Sequence, residues 1–447
     1  MNKIFKISLL LILLAIIVVA VLYYPRLNLI TGFAAKNMCS CTFISEREPA
    51  NIAATDNGFE PVSMAKSEVN AAEKYASSEV FGLKERTAVF IPGIGCTLVP
   101  EDVENEERTT LTPNRSREKI ACPYPFGHEK AVDTTFSEVN YDRLETALDS
   151  AFAPRNLTRA VVVLYRDHLL AERYSEGFSE DTKLLGWSMT KSITSALIGI
   201  LNRQGKVSLE QDHLFEEWNE DERSAITLNN LLHMNSGLAW EEDYTKISDV
   251  TKMLFLSEDM SEVQLQKSLV GEPGSAWNYS SGTTNLLSAL IRDQFDTHQE
   301  YLDFWYSELI DKIGMHSMVV ETDLAGNYVG SSYAWATPRD WARFGLLYLN
   351  KGEWNGEQVL EPSWIDYTVK PTPGSDGEYG AYFWLNAGGV YPNVPRDLFS
   401  ANGFQGQHVF VIPSNDLVVV RFGLKEHPDF NVDDFLNSII SSIEKTQ

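Results

Sequence analysis

The sequence predicts an α+β protein: an antiparallel β-sheet flanked by helices, behind an N-terminal extension and an apolar leader. Three observations predict it. Residues 131–447 carry a hairpin pattern near each end, helix-period segments fill the space between, and an uncharged run opens the chain. Apolar residues make up 44% and charged residues 22%, the balance of a folded protein, so disorder, collagen and coiled coil are excluded. A net charge of −25 opposes phosphate backbones, and nucleic acid is not an expected partner.

The run Ile7–Tyr24 holds no charge, and at about 1.5 Å per residue such a helix nearly crosses a bilayer core. It is longer than a usual signal-peptide core, which favours an uncleaved membrane anchor over a cleaved signal in residues 1–29. Lys3 and Lys6 precede the run and only Arg26 follows closely, so the rest of the chain is expected outside the cytoplasm. The alternative is secretion after cleavage.

Residues 30–130 form the extension, with short apolar pieces and all four cysteines: Cys39, Cys41, Cys96 and Cys122. Cys39 and Cys41 are too close for a comfortable mutual bridge, so each is expected to reach Cys96 or Cys122. No histidine or acidic cluster stands with them at zinc spacing, and no metal is expected.

From residue 131 the elements run in order. Ala160–Tyr165 and Leu169–Tyr174 flank Arg166-Asp-His168 as a hairpin. Ser188–Leu201 is an apolar helix stopped near Gly205, and Leu228–His233 is a short helix. Gly282–Phe295 and Asp340–Leu349 repeat apolar residues at three- and four-residue spacing. His408–Ile412 and Leu417–Phe422 make a second hairpin, and Asn431 caps a closing helix to Ile443. The two hairpins are expected to share one sheet.

Ser188-Met-Thr-Lys191 is the chemical centre. Three residues apart on a helix, the two side chains share a face. A lysine kept neutral by burial can take the serine proton, and the helix N-terminus favours negative charge forming beside the serine. Ser63/Lys66, Ser116/Lys119 and Ser442/Lys445 share the spacing, but only Ser188 opens an apolar helix. Tyr279, in Trp277-Asn-Tyr-Ser-Ser-Gly282 before a helix, can relay a proton to a leaving group. Ser400-Ala-Asn-Gly-Phe-Gln-Gly-Gln-His408 leads into a strand, where glycines let backbone approach a ligand.

In this order the three motifs resemble the serine β-lactamase and penicillin-binding protein superfamily, on its class C side. Leu231-Leu-His-Met-Asn-Ser-Gly237 and Thr337-Pro-Arg-Asp-Trp-Ala-Arg-Phe-Gly345 add to the likeness. It covers roughly residues 135–445 and is nearest to the branch containing 6-aminohexanoate-dimer hydrolase and related esterases. It implies a β-lactamase/transpeptidase-like sandwich with a mainly helical subdomain, a serine acyl-enzyme, and no cofactor. By the same resemblance Ser188 is the nucleophile, Lys191 its base and Tyr279 a second acid/base group. The backbone N–H groups of Ser188 and of Phe404 or Gln405 form the oxyanion hole. Trp187, Tyr244, Ser281 and Gly403 face the substrate, Ser281 replacing the usual asparagine. The third motif departs: Ala401-Asn402-Gly403 lacks the cation that holds a β-lactam carboxylate, and His408 reads as an ordinary strand histidine.

The leading expectation is an exported serine hydrolase acting on small esters or amides. A cell-wall DD-peptidase or β-lactamase-type enzyme is the first alternative, motivated by the anchor and opposed by the missing cation. A catalytically inactive binding protein on the same fold is the second.

Overall fold

A computed structural model describes residues 24–100 and 111–443, with Phe5, Ile7 and residues 10–14. The apolar run Ile7–Tyr24 lies for the most part outside the described residues. Among those residues no helix is long and apolar enough to cross a membrane. The chain divides into two compact units. The first comprises residues up to Thr109 with Glu241–Glu258 and Asp323–Ala325; the second holds the remainder.

The first unit is built around the helix Leu27–Phe43, whose residues Thr31–Cys41 are all buried. A four-stranded antiparallel sheet packs on it: β1 (Lys66–Asn70), β2 (Tyr75–Val80), β3 (Leu83–Ile91) and β4 (Gly95–Val99), in that order. Phe33 meets Phe59 and Phe255, the latter on the helix Asp249–Leu256, and Phe43 stacks on Phe90 of β3. Its buried stretch is mostly apolar or small, and its two large polar side chains are hydrogen-bonded: Lys36 Nζ donates to Ser40 Oγ at 2.9 Å and Asn37 Nδ2 to Asn57 Oδ1 at 2.8 Å. Cys39 and Cys96 form a disulfide between the helix and β4. The expected second bridge is absent. Cys41 is a buried thiol, donating to Asn37 Oδ1 at 3.5 Å with the Arg47 guanidinium 3.9 Å away, and Cys122 is a half-buried thiol in the second unit.

The second unit contains a six-stranded antiparallel sheet in the order β12-β13-β14-β15-β5-β6. Its strands are β5 (Thr158–Tyr165), β6 (His168–Tyr174), β12 (Trp384–Leu385), β13 (Phe399–Gly403), β14 (Gln407–Ile412) and β15 (Leu417–Gly423). The two hairpins meet through β15 and β5, Val419 opposite Val163. Every residue of β5 and β15 is buried, because helices cover both faces. Val161, Val163, Val419 and Phe410 pack with the helices Tyr141–Ala151 and Val432–Ile440. The opposite face meets the helix Pro338–Leu349, where Gly345 lies on Val409 and Val418. Asn431 caps the closing helix by accepting from Asp434 N–H at 3.1 Å, and that helix ends at Ile440.

A small sheet aims the chain at the site. β7 (Leu184–Leu185) pairs with β9 (Ala334–Ala336), which also pairs with β8 (Val319–Val320). The hairpin β10 (Glu353–Trp354) and β11 (Glu357–Gln358) stands apart. The Ser188 helix differs from expectation at its start. Trp187–Met189 is a 3-10 turn, and the α-helix proper is Thr190–Arg203.

Two predictions follow from this packing. The disulfide closes a loop of 57 residues, so Cys96→Ser should lower stability by about 2–4 kcal/mol in urea unfolding. Alkylation of the unreduced, denatured wild type should modify two cysteines, and a Cys41–Cys122 peptide would contradict the fold.

The second prediction concerns acid. Burial, and then the Lys370 charge, pulls the His233 imidazole down to about 4, and burial holds His408 well below the usual histidine range. Between about pH 6.5 and 4 the unfolded chain takes up protons that the folded chain refuses. Stability therefore rises with pH across this window and is lost on acidification. His233 alone accounts for about 3 kcal/mol. Unfolding free energies at pH 7 and 4.5 should show this loss, reduced in His233→Asn; a flat profile would contradict it.

Candidate active site

The strand β7 delivers Gly186, whose N–H donates to Ala334 O at 2.8 Å, straight into Trp187 and Ser188. Trp187 holds a left-handed backbone, φ +47°, which is uncommon for a bulky residue. Such strain persists only where surrounding structure enforces it. Here Trp187 is buried, edge-on to Phe404 at 5.5 Å between ring centroids and 6.3 Å from Tyr333. Gly403, at the end of β13, lies against the same turn. A Cβ there would stand 2.1 Å from Gly186 O, so no other residue fits without moving the backbone. The serine turn and the β13 turn are thus pressed together.

Lys191, the second residue of the α-helix and three residues after Ser188, is 1% exposed. Its Nζ lies 2.9 Å from Ser188 Oγ, 2.8 Å from Ser281 Oγ and 3.0 Å from Ser331 O. An ammonium would donate to all three. A neutral amine has two N–H donors and one lone pair. With its donors on Ser281 and Ser331, the lone pair faces the Ser188 hydroxyl and can accept its proton. Ser331 is itself fixed, its N–H donating to Asn285 Oδ1 at 3.2 Å.

Tyr279 and Ser281 arrive together at the start of the helix Ser281–Arg292. Ser280 caps that helix, its Oγ accepting from Thr283 N–H at 3.0 Å. Tyr279 is half-buried, and Lys191 Nζ lies 4.9 Å from its ring centroid. Tyr379 and Trp384 flank the tyrosine at 5.6 and 5.3 Å, and Trp277 joins them. Ser281 is fully buried, so its side chain holds Lys191 instead of facing a substrate.

The turn after β13 is Gly403-Phe404-Gln405-Gly406, closed by Gly406 N–H to Gly403 O at 3.2 Å. Two side chains brace it. Gln407 Nε2 donates to Phe404 O at 3.0 Å and to Gly423 O at 2.7 Å. Arg421, fully buried, donates to Gly406 O, Lys425 O and Asn156 O at 2.6–2.9 Å and lies over Phe430. Burial raises the Glu426 carboxyl, and the nearby Gln405 backbone offsets part of that rise. Phe404 and Gln405, the expected pair, sit side by side on this turn.

The strand supplies no exposed cation. His408 is buried, stacked on Phe410, and its Nδ1 lies 2.9 Å from Asn402 Oδ1. Burial, then the Arg421 and His427 charges, keeps it neutral at pH 7. Arg421 spends its donors on carbonyls and Thr158 Oγ1. Tyr244 belongs to the first unit, in a segment where Ser248 Oγ donates to Asp243 O at 2.7 Å. A cavity of about 220 Å³ elsewhere in the second unit, lined by His128, His316, Arg339 and Arg343 among others, contains none of these groups.

The spacing motifs thus brought Ser188, Lys191, Tyr279 and Ser281 to one place. They did not reveal Ser331, which acts through a carbonyl any residue carries. Trp277 stood beside Tyr279 in the same motif and was open to notice.

Residues 153–438 match the Beta-lactamase family. The 6-aminohexanoate-dimer hydrolase of Paenarthrobacter ureafaciens is 22% identical over 297 residues, covering 61% of this chain and 74% of that protein. A solved structure described as a 6-aminohexanoate-dimer hydrolase from Bacillus anthracis superposes with a TM-score of 0.56 at 24% identity, covering 67% of this chain and 80% of the other. A family VIII carboxylesterase superposes with a TM-score of 0.56 at 13% identity, over 70% and 99% of the two chains. With more than half its length matched, the chain belongs to the β-lactamase family, within the serine β-lactamase and penicillin-binding protein superfamily, and is a serine hydrolase.

Proposed function

We propose that the chain is a membrane-anchored serine hydrolase outside the cytoplasm that cleaves small, uncharged ester or amide bonds through an acyl-enzyme on Ser188. The observation that carries this is Lys191 Nζ at 2.9 Å from Ser188 Oγ, buried and steadied by Ser281 and Ser331. Ser188 Oγ attacks the substrate carbonyl as its proton passes to Lys191. The oxyanion is met by the N–H groups of Ser188 and of Phe404 or Gln405. Tyr279, beside Lys191, hands a proton to the leaving alkoxide or amine, and the C–O or C–N bond breaks. Water then adds to the acyl ester, giving its proton to the same pair, and Ser188 is released with the acid product.

The substrate class rests on electrostatics. With His408 neutral and Arg421 turned to carbonyls, the β13 strand has nothing to pair with a substrate carboxylate. The names of the relatives, a dimer hydrolase and a carboxylesterase, fit an amide or ester of this size. The anchored location is supported by the Lys3 and Lys6 bias around Ile7–Tyr24 and by the Cys39–Cys96 disulfide, which suits an oxidising compartment.

Ser188→Ala should lower turnover of a short-chain p-nitrophenyl ester by at least about 10³-fold. Tyr279→Phe should divide substrates by leaving group. Loss should reach about 10²–10⁴-fold on an anilide or alkyl amide, whose nitrogen must be protonated, and be much smaller on the p-nitrophenyl ester. Equal losses on both would remove Tyr279 from the proton path. A stable penicillin adduct on Ser188 would move the reading to a cell-wall enzyme.

A further inference from the structure

The first unit carries a feature its own packing does not require. β2 and β3 are joined by the two-residue turn Phe81-Gly82, with φ +56° and +72°. That left-handed pair suits a hairpin and is ordinarily filled by Asn-Gly or Asp-Gly; an aromatic side chain there is strained. The fold gains no burial in return, since Phe81 is 80% exposed, and Leu83, the first residue of β3, is exposed beside it. Lys84 follows, with its ammonium 4.7 Å from the ring centroid of Tyr24. Tyr24 is itself exposed and is the last residue of the apolar run Ile7–Tyr24. The tip therefore stands at the point where that run ends.

Phe81, Leu83, Tyr24, Lys84 and Arg26 make the composition of a bilayer interface: apolar bodies for the acyl boundary, and a phenol and cations for the headgroups. Glu79 and Glu85 flank the tip, so attraction to anionic lipid is not its driving force. We propose that the Phe81–Lys84 hairpin tip inserts into the bilayer surface beside the anchor, giving the first unit a second point of attachment. The occupant is lipid, met by apolar burial, and the contact is insensitive to salt. This rests on reading Ile7–Tyr24 as an uncleaved anchor.

The test uses the full chain in phosphatidylcholine nanodiscs, with p-benzoylphenylalanine at position 81 or at position 72, in the exposed turn at the far end of β2. After irradiation, mass spectrometry should find several-fold more lipid adduct from position 81, unchanged at high salt. Equal yields from both positions, or adducts to protein alone, would overturn the contact. A chain recovered without residues 1–24 would overturn the anchor and the contact together; an intact chain without lipid adduct overturns the contact alone. Phe81→Asn, which suits the left-handed turn, should keep or raise the melting temperature in detergent. A lowered one would assign Phe81 to the fold and overturn the proposal.

Discussion

The amine of Lys191 is the constraint on which the site is built. Burying an ammonium is costly unless it is hydrogen-bonded. Here the lysine meets acceptors from three places in the chain: Ser188 on its own turn, Ser281 on a second helix and Ser331 in the loop before β9. Each must arrive within a few tenths of an ångström. The small sheet aims Ser188, the Ser280 cap sets the helix that carries Ser281, and Asn285 holds Ser331. The same contacts that tolerate the ammonium leave a neutral amine's lone pair facing the serine hydroxyl. Stability and chemistry thus draw on one set of hydrogen bonds.

The oxyanion side depends on a different constraint, the approach of two turns. Gly403 admits the Gly186 carbonyl where a side chain would collide, and the strained Trp187 fills the space beside Phe404. Behind this contact the turn is braced by Gln407 and Arg421. Arg421 is unusual in that carbonyl oxygens and a threonine hydroxyl take its donors. A guanidinium used this way orients backbone and is unavailable to a substrate. Substitution of the superfamily's strand cation by Ala401-Asn402, with a neutral His408 behind, carries the same consequence: the site is polar without being basic on that side.

Much of this was legible in the sequence because periodicity and spacing are local. The hairpins around Arg166-Asp167 and Pro413–Asp416, and the helices over Gly282 and Asp340, follow from alternation and three-four spacing, and the sheet they imply is present. Ser188 and Lys191 share a turn by arithmetic. What could not be read required contacts distant in the chain. Ser281 fits a substrate role by its place after Tyr279, yet it lies buried on Lys191, 90 residues away. Phe404 and Gln405 share one turn, and spacing does not choose between their N–H groups. Cys41 and Cys122 left the second bridge undecided; both remain thiols, Cys41 buried beside Arg47.

The central claim is that Lys191 activates Ser188. Its most direct test is the rate at which a fluorophosphonate labels the full chain in detergent, followed by intact mass and peptide mapping. A single adduct on Ser188, absent from Ser188→Ala and formed at least about 100-fold more slowly in Lys191→Ala, is the predicted result. Labelling of another residue, or an unchanged rate in folded Lys191→Ala, would contradict it.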